Sequence, residues 1–212
     1  MARKIQRVTL LIDTSGSMRG NSIEKVKLAV KKLSNTIDYY NSLSSRIEFQ
    51  IITFSNHAKF VSRNRIDDIV ALGQTNLADA YKKLNLIFKK HSEFDYKPII
   101  LLLCDGKPNL CNHKLALEKL KQNKAFRDSL RIAFAYGIQD KSTIEVLKDF
   151  AGSHENVIQH DRISTVKFVI EHSLPKVLKE QAKRDNQIYG DLLKIIKTDV
   201  IKSKSYGFKR SL

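Results

Sequence analysis

The chain has 212 residues, 42% of them hydrophobic, which suits one globular domain with an appendage and excludes a disordered or fibrous class. Its formal net charge of +16 at pH 7 attracts nucleic acid, anionic membrane or acidic protein, although a solvated lysine-rich surface also accounts for it. Two cysteines are too few for a disulfide framework, and no apolar run is long enough to span a membrane. We therefore expect a cytoplasmic protein.

Short apolar strands alternate with amphipathic helices along the chain. Strands are predicted at residues 8–12, 46–54, 99–104, 130–137 and 157–159, with a short edge hairpin strand at 58–62. Helices are predicted at residues 22–40, 77–88, 114–122, 143–151 and 164–178. Capping residues mark three helix starts, Asn21, Asn76 and Ser142 with Glu145, while Pro175 is predicted to kink or end the last helix. This order predicts an α/β fold over residues 5–178, with a doubly wound, mainly parallel sheet covered by helices on both faces.

The segment after this domain changes character. From residue 176 onward the chain has ten lysines or arginines against four acidic residues. An apolar stripe at helical spacing runs through Ile188, Leu192, Ile195, Ile196 and Val200. We interpret residues 179–212 as a basic amphipathic helical tail that either serves a partner or an anionic surface, or packs back on the domain.

Oxygen-bearing side chains follow the strands at the edge where doubly wound sheets bind ligands. The first strand leads into Asp13, Ser15 and Ser17. The most apolar strand is followed by Asp105, and Thr75 lies in the loop before the second helix. Two carboxylates and three hydroxyls are hard oxygen ligands that suit Mg²⁺ or Mn²⁺ better than zinc. We therefore predict one such ion per chain, with a coordination position open to water or to an incoming carboxylate.

Three segments, DTSGSM with Arg19-Gly20 following, GQTNLADA and LLLCDGKP, resemble the metal-ion-dependent adhesion site (MIDAS) of von Willebrand factor A domains. The resemblance covers nearly all of residues 5–178 in element order. It implies that four side chains hold the ion directly or through water and that a fifth, Asp105, accepts hydrogen bonds from its water shell. The four are Asp13, Ser15, Ser17 and Thr75. It also implies a protein-binding scaffold rather than an enzyme, with the ion completed by an acidic residue of the partner.

Within that superfamily the chain resembles the bacterial tellurium-resistance-associated (TerY-type) branch, because it opens directly on the first strand. Members of that branch often accompany a protein kinase and a metal-dependent protein phosphatase in stress signalling. The chain departs from the branch by lacking an extra cysteine-rich metal module. It also has Lys107 near the ion, where an acidic residue is more familiar, and this lysine either clamps an acidic ligand or weakens cation binding. Gly16 and Asn76 are the other predicted partner contacts.

Other functions have weaker sequence support. An aspartyl phosphatase needs a second aspartate two residues after Asp13, where Ser15 stands, and no phosphate-binding glycine motif is present. The histidines form no pair at zinc-ligand spacing, and Cys111-x-His113 is only half a site. A basic nucleic-acid-associated or phage-defence accessory protein stays open as an alternative because of the charge, although no recognised nucleic-acid module is visible.

Overall fold

The computed structural model describes residues 5–43, 46–90, 95–106, 112–160, 167, 169–181, 194, 195, 197 and 198. Its strands are β1 Gln6–Asp13, β2 Ile47–Phe54, β3 Ala58–Val61, β4 Ile99–Cys104, β5 Leu130–Tyr136 and β6 Val157–His160. Its helices are α1 Asn21–Leu43, α2 Leu77–Lys90, α3 His113–Lys121, α4 Lys124–Asp128, α5 Lys141–Ala151 and α6 Leu174–Gln181. The strands form one six-stranded sheet in the order β3-β2-β1-β4-β5-β6. The predicted α/β class with a mainly parallel sheet is confirmed.

The winding direction of the sheet reverses between β1 and β4. From β1 the chain builds outward through β2 to the antiparallel edge strand β3, and from β4 it builds the other way through β5 to β6. In the register of β1 with β4, Ile12 lies opposite Leu103. Asp13 and Cys104 are therefore the next residues on the two strands, and Asp105 follows directly. Carboxylates thus leave both strands at the switch point, where open α/β sheets bind ligands.

Helices cover both faces of the sheet because alternate strand residues point to opposite sides. On β1, Leu10 and Ile12 belong to a core with α1 and α6, whereas Leu11 belongs to a second core with α2, α3 and α5. The second core is rich in aromatic rings, with Tyr81 stacked on Phe150 at a centroid distance of 5.7 Å. Every residue of β4 is buried, in agreement with its predicted central place.

Two predicted helix caps are wrong. Asn21 is the first residue of α1, and the carbonyl of Gly20 accepts the first helical bond from Glu24 N at 3.4 Å. The cap of α5 is Asp140, whose carboxylate accepts from Thr143 N at 3.0 Å. A carboxylate also interacts favourably with the positive end of the helix dipole. Ser142 donates to Asp140 instead of capping.

The structure also differs from the prediction in one additional helix and in the course of the last helix. Helix α4 was not predicted, and Asn123 caps it by accepting from Phe126 N at 3.3 Å. Pro175 was predicted to kink or end the last helix, and it does not end it: a π-helical turn at Val169–Ser173 leads directly into α6, whose second residue is Pro175. Proline has no N–H to donate to the preceding turn, and the helix is distorted there rather than ended.

Most of the predicted tail lies outside the described residues. Within it, Ile195 is partly buried against the core that contains α1 and α6, and Lys197 Nζ lies 3.5 Å from a carboxylate oxygen of Glu155. The tail therefore contacts the domain at this point. Its role as a separable unit beyond residue 178 stays a prediction. No helix in the described part of the chain has the length and apolar character to cross a membrane.

Candidate metal centre

Hydrogen bonds join four of the five predicted ligand residues in one run. Ser15 N donates to Asp13 Oδ1 at 2.8 Å. The hydroxyl oxygens of Ser15 and Ser17 lie 3.0 Å apart, and Ser17 Oγ donates to Asp105 Oδ1 at 2.8 Å. The backbone N–H of Ser15 and the hydroxyls of Ser15 and Ser17 therefore connect the carboxylate that ends β1 with the carboxylate that follows β4.

The fifth residue, Thr75, reaches the same place from the loop before α2. A Cβ atom built on Gly106 would lie 3.3 Å from Thr75 Oγ1 and 3.6 Å from Ser17 Oγ. Both hydroxyls therefore face the backbone just after Asp105, and a side chain at position 106 would crowd them. The structure thus brings together all five side chains that the sequence singled out, and glycine keeps the space between them open.

The two carboxyl groups share a poorly solvated environment. Burial raises the pKa of Asp13, and hydrogen bonds from Ser15, Cys104 and Thr75 only partly oppose this rise. Burial, and then the charge of Asp13, raise the pKa of Asp105 to about 6. Like charges in a crevice raise each other's proton affinity, and a bound cation would offset the same repulsion.

The loop after β1 turns through a short 3₁₀ helix at Gly16–Met18 and is held by contacts with the core and with β2. Met18 is completely buried and fixes this turn to the core. Thr14 donates from both its backbone N, at 2.8 Å, and its hydroxyl, at 3.0 Å, to the carbonyl of Phe54 on β2. Ser15 stands at the start of the turn without a side-chain capping bond, so its hydroxyl faces Ser17 instead.

Backbone bonds join the loop before α2 to the loop after β1. Leu72 N donates to Thr14 O at 2.8 Å, and Gly16 N donates to Gly73 O at 2.9 Å. Gly73 has a φ of +89°, a conformation that residues with a Cβ rarely adopt. These bonds hold Thr75, two residues further on, beside the serines.

Asn56, in the turn between β2 and β3, supports the same loop, and the sequence analysis missed it. Its Oδ1 accepts from Gln74 N at 2.8 Å, and its carbonyl accepts from Asn76 Nδ2 at 2.8 Å. The only sequence signal was a polar turn after a buried strand, and nothing local linked that turn to residues 18 positions away.

Cys104 lies directly behind the centre and is completely buried. Its thiol lies 3.4 Å from Asp13 Oδ2 and 3.1 Å from the carbonyl oxygen of Gly106, so it sits between the ends of the two carboxylate-bearing segments. Burial, followed by the charge of Asp13, raises the pKa of the thiol well above its ordinary value. Cys104 is therefore a protonated hydrogen-bond donor rather than a thiolate ligand.

The three predicted partner contacts differ in their surroundings. Gly16 lies at the rim and uses its N–H for Gly73. Asn76 uses both ends of its side chain inside the protein, since its Oδ1 also accepts from Asp79 N at the start of α2, at 3.1 Å. Lys107 and Cys111 lie outside the described residues. All three partner contacts stay predictions.

Comparisons with known proteins agree with this architecture. Residues 8–107 match a family model described as von Willebrand factor type A domain. Proximal thread matrix protein 1 from the mussel byssus, solved with a zinc-occupied MIDAS motif, is 18% identical, with a TM-score of 0.63 over 84% of this chain and 46% of that chain. A von Willebrand factor type A structure from Catenulispora acidiphila is 15% identical, with a TM-score of 0.64 over 82% and 42%. The corresponding domain of a type V pili tip protein from Porphyromonas gingivalis is 9% identical, with a TM-score of 0.64 over 88% and 99%.

At these identities the likeness to solved structures concerns the fold alone. The chain spans about half the length of the mussel protein. No curated protein sequence matches it.

Proposed function

We propose that this chain, whose residues 8–107 match the family model of the von Willebrand factor type A domain, binds an acidic protein partner through one Mg²⁺ or Mn²⁺ ion. The ion would be held by Asp13, Ser15, Ser17 and Thr75, and Asp105 would accept hydrogen bonds from the water molecules bound to it. When bound, it supplies an electrophilic position that a carboxylate of the partner can occupy.

The observation that carries this proposal is the convergence of two carboxylates and three hydroxyls at the switch point of the sheet. Asp105, Ser17, Ser15 and Asp13 form one run of contacts of 2.8 to 3.0 Å. Hydroxyls in such a run retain lone pairs that can face a cation. A role in helix capping or turn formation does not require residues from three separate loops to meet. The donor set therefore fits a divalent cation.

The choice of Mg²⁺ or Mn²⁺ over zinc rests on the chemistry of the donors. All five side chains offer oxygen, and the nearest sulfur belongs to a thiol whose raised pKa keeps it protonated. No cluster of three or more His, Cys, Asp or Glu residues suited to a metal occurs among the described residues. The zinc in the mussel protein shows that the adhesion site of that relative accepts another divalent ion. A separate comparison of Mg²⁺, Mn²⁺ and Zn²⁺ affinities tests this choice of ion.

Binding rather than catalysis is the role that the residues support. Ser15 stands where an aspartyl phosphatase would have its second aspartate. Asp105 has a pKa of about 6, and its Oδ1 already accepts a hydrogen bond from the Ser17 hydroxyl. The chain's own groups thus hold and orient a cation and keep one side of it accessible, since Ser17 is exposed at the rim.

For the cellular role we propose cytoplasmic stress signalling beside a protein kinase and a metal-dependent protein phosphatase, as in the TerY-type branch. This part rests on the resemblance of the three sequence segments alone. Cation-dependent co-purification with a kinase or phosphatase encoded beside this protein would support it, and co-purification with nucleases or helicases would favour a defence role.

A nucleic-acid-associated function is the second candidate, because the chain has a net charge of +16. The two functions respond differently to solution conditions. Phosphate contacts weaken steeply with added salt, whereas a carboxylate held through a cation is lost on addition of a chelator. Duplex DNA and an acidic partner, each titrated with salt and with EDTA, distinguish them.

The direct test of the proposal is a titration with Mn²⁺ alone, followed by isothermal calorimetry or electron paramagnetic resonance. Wild type is expected to bind one ion, and Thr75→Ala and Ser15→Ala to bind it at least about tenfold more weakly, since each removes one oxygen ligand. Matched controls are Thr36→Ala and Ser42→Ala on α1, whose hydroxyls donate to the backbone carbonyls of Lys32 and Tyr39 in their own helix. Equal Mn²⁺ affinity in all five proteins contradicts the proposal.

A further inference from the structure

A groove of about 520 Å³ lies beside the metal centre, between the start of α1 and the segment that precedes α2. Arg19, Ile23, Val70 and Leu72 are among the residues that line it. Arg19 belongs to the first of the three sequence segments, whereas Ile23, Val70 and Leu72 lie outside all of them. The groove is open to solvent along the rim formed by Val70 and Leu72.

The groove lies next to the two loops that carry the serines and the threonine of the metal centre. Leu72 N donates to Thr14 O, and the next residue, Gly73, accepts from Gly16 N at 2.9 Å. Arg19 follows Ser17 by two residues on the other side. Since an extended chain rises at most about 3.6 Å per residue, the Cα atoms of Leu72 and Thr75 are at most about 11 Å apart. An extended partner segment covers that distance with about three residues.

The rim is apolar where the segment before α2 faces solvent. Val70 is 71% exposed and Leu72 59% exposed, while Ile69 and Ala71, which alternate with them, are buried. Ile69 and Ala71 hold this extended segment against the core, so the alternate side chains, Val70 and Leu72, point to solvent. A single exposed aliphatic residue is ordinary, but two on one side of a fixed segment at the edge of a groove form a patch that binding can cover.

The charged side chains that line the groove are Arg19, Lys27, Glu24 and Asp67. Asp67 forms an ion pair with Lys31. Arg19 is exposed, and its Nε donates to Ala71 O at 3.2 Å, which holds its side chain beside the segment before α2. Lys27 at the far side is paired with Glu24 at 2.9 Å. Among the described residues no carboxylate forms an ion pair with Arg19, so this end of the groove is complementary to an acidic ligand.

We infer that the groove binds an aliphatic or aromatic side chain of the same acidic protein segment whose carboxylate reaches the metal centre, within about three residues of that carboxylate. The inference rests on the proposed function and adds to it a sequence preference for the partner. The centre supplies the requirement for an acidic residue, and Val70 and Leu72 supply the requirement for an apolar neighbour.

The test uses a displayed library of random linear peptides, selected on the full chain in MnCl₂. The selected peptides are expected to pair Asp or Glu with an apolar residue at most about three positions away. One selected peptide is then measured by fluorescence polarisation against Leu72→Ser, with Leu86→Ser as the matched control because Leu86 is an equally exposed leucine on α2, at 52%. We expect Leu72→Ser to bind about tenfold more weakly than wild type and Leu86→Ser to bind equally well, with Mn²⁺ affinity unchanged in both.

The outcomes separate this inference from the proposed function. Peptide binding that is lost with EDTA and in Thr75→Ala but is unchanged in Leu72→Ser overturns the inference and leaves the proposed function standing. Binding that survives EDTA overturns the proposed function and the inference with it. Selection of acidic peptides without a neighbouring apolar residue, or of no acidic peptide at all, also overturns the inference.

Discussion

Gly16 donates its backbone N–H to the carbonyl of Gly73 at 2.9 Å, and this bond joins the two loops that carry the serines and the threonine of the metal centre. The two glycines are 57 positions apart in the chain, yet their contact sets the distance between the ligands on either side. The bond depends on the left-handed conformation of Gly73, whose φ is +89°.

Gly73→Ala is therefore expected to lower both stability and Mn²⁺ affinity. A Cβ atom at this position would lie 2.8 Å from Asn56 Oδ1, so the side chain that holds Gln74 N must move. Gly137→Ala is the matched control, because Gly137 also has a positive φ, +66°, but no atom lies within 4 Å of its added Cβ. In the control the free energy of unfolding should fall by about 1 kcal/mol from conformational strain alone, and the Mn²⁺ affinity should not change. Urea unfolding and Mn²⁺ titration measure both effects, and equal behaviour of the two variants would argue against the loop contact.

Removal of the cation is expected to destabilise the fold. The ion binds the folded state and offsets the repulsion between Asp13 and Asp105. A free ion concentration one hundred times the dissociation constant therefore raises the free energy of unfolding by about 2.7 kcal/mol. For a chain of this size that corresponds to a rise of about 5 to 10 °C in the melting midpoint. Calorimetric scans in MgCl₂ and in EDTA, at matched ionic strength, measure the shift. Thr75→Ala, which binds at least about tenfold more weakly, should show at most about half of the shift, and identical midpoints for wild type would remove the support for a metal centre.

Cys104 is expected to be inert while the protein is folded. It is completely buried at the end of β4, and its raised pKa keeps the thiol protonated near neutral pH. In a Cys111→Ser variant, where Cys104 alone can report, a thiol reagent such as DTNB should react only after guanidinium is added. Rapid labelling of the native variant would mean that the end of β4 is open to solvent.

Ile195 tests whether the tail belongs to the domain. Because its side chain is partly buried against the core, Ile195→Ala should lower the free energy of unfolding by about 1 kcal/mol. Thr198→Ala, at an exposed position in the same segment, should have no measurable effect. Deletion of residues 182–212 should likewise lower the melting midpoint. If both changes leave stability intact, the tail is separable from the domain, and loss of the partner on deletion of residues 182–212 would then support the predicted interaction role.

The sequence by itself was enough to predict the fold class and which residues meet at the candidate site. Apolar residues recur with a period of two in strands and about 3.6 in helices, and this periodicity depends only on which face is buried. In a parallel sheet the carboxyl ends of neighbouring strands meet at one edge, so Asp13 and Asp105 had to approach each other once β1 and β4 were adjacent. Ser15 and Ser17 follow Asp13 by two and four residues and are carried to the same edge, whereas Thr75 was predicted from the loop before the second helix and its GQTNLADA segment.

Only the tertiary structure decided how the site is supported and what lies beside it. Asn56 holds the loop before α2 across a long sequence separation, and the groove with Arg19 and Leu72 exists because two loops pack side by side. Choices between similar neighbours, such as Asp140 over Ser142 as the cap of α5, depended on which oxygen lay closest to Thr143 N. The packing of Ile195 against the core was equally invisible, because an amphipathic stripe shows that a face is apolar but not which surface covers it.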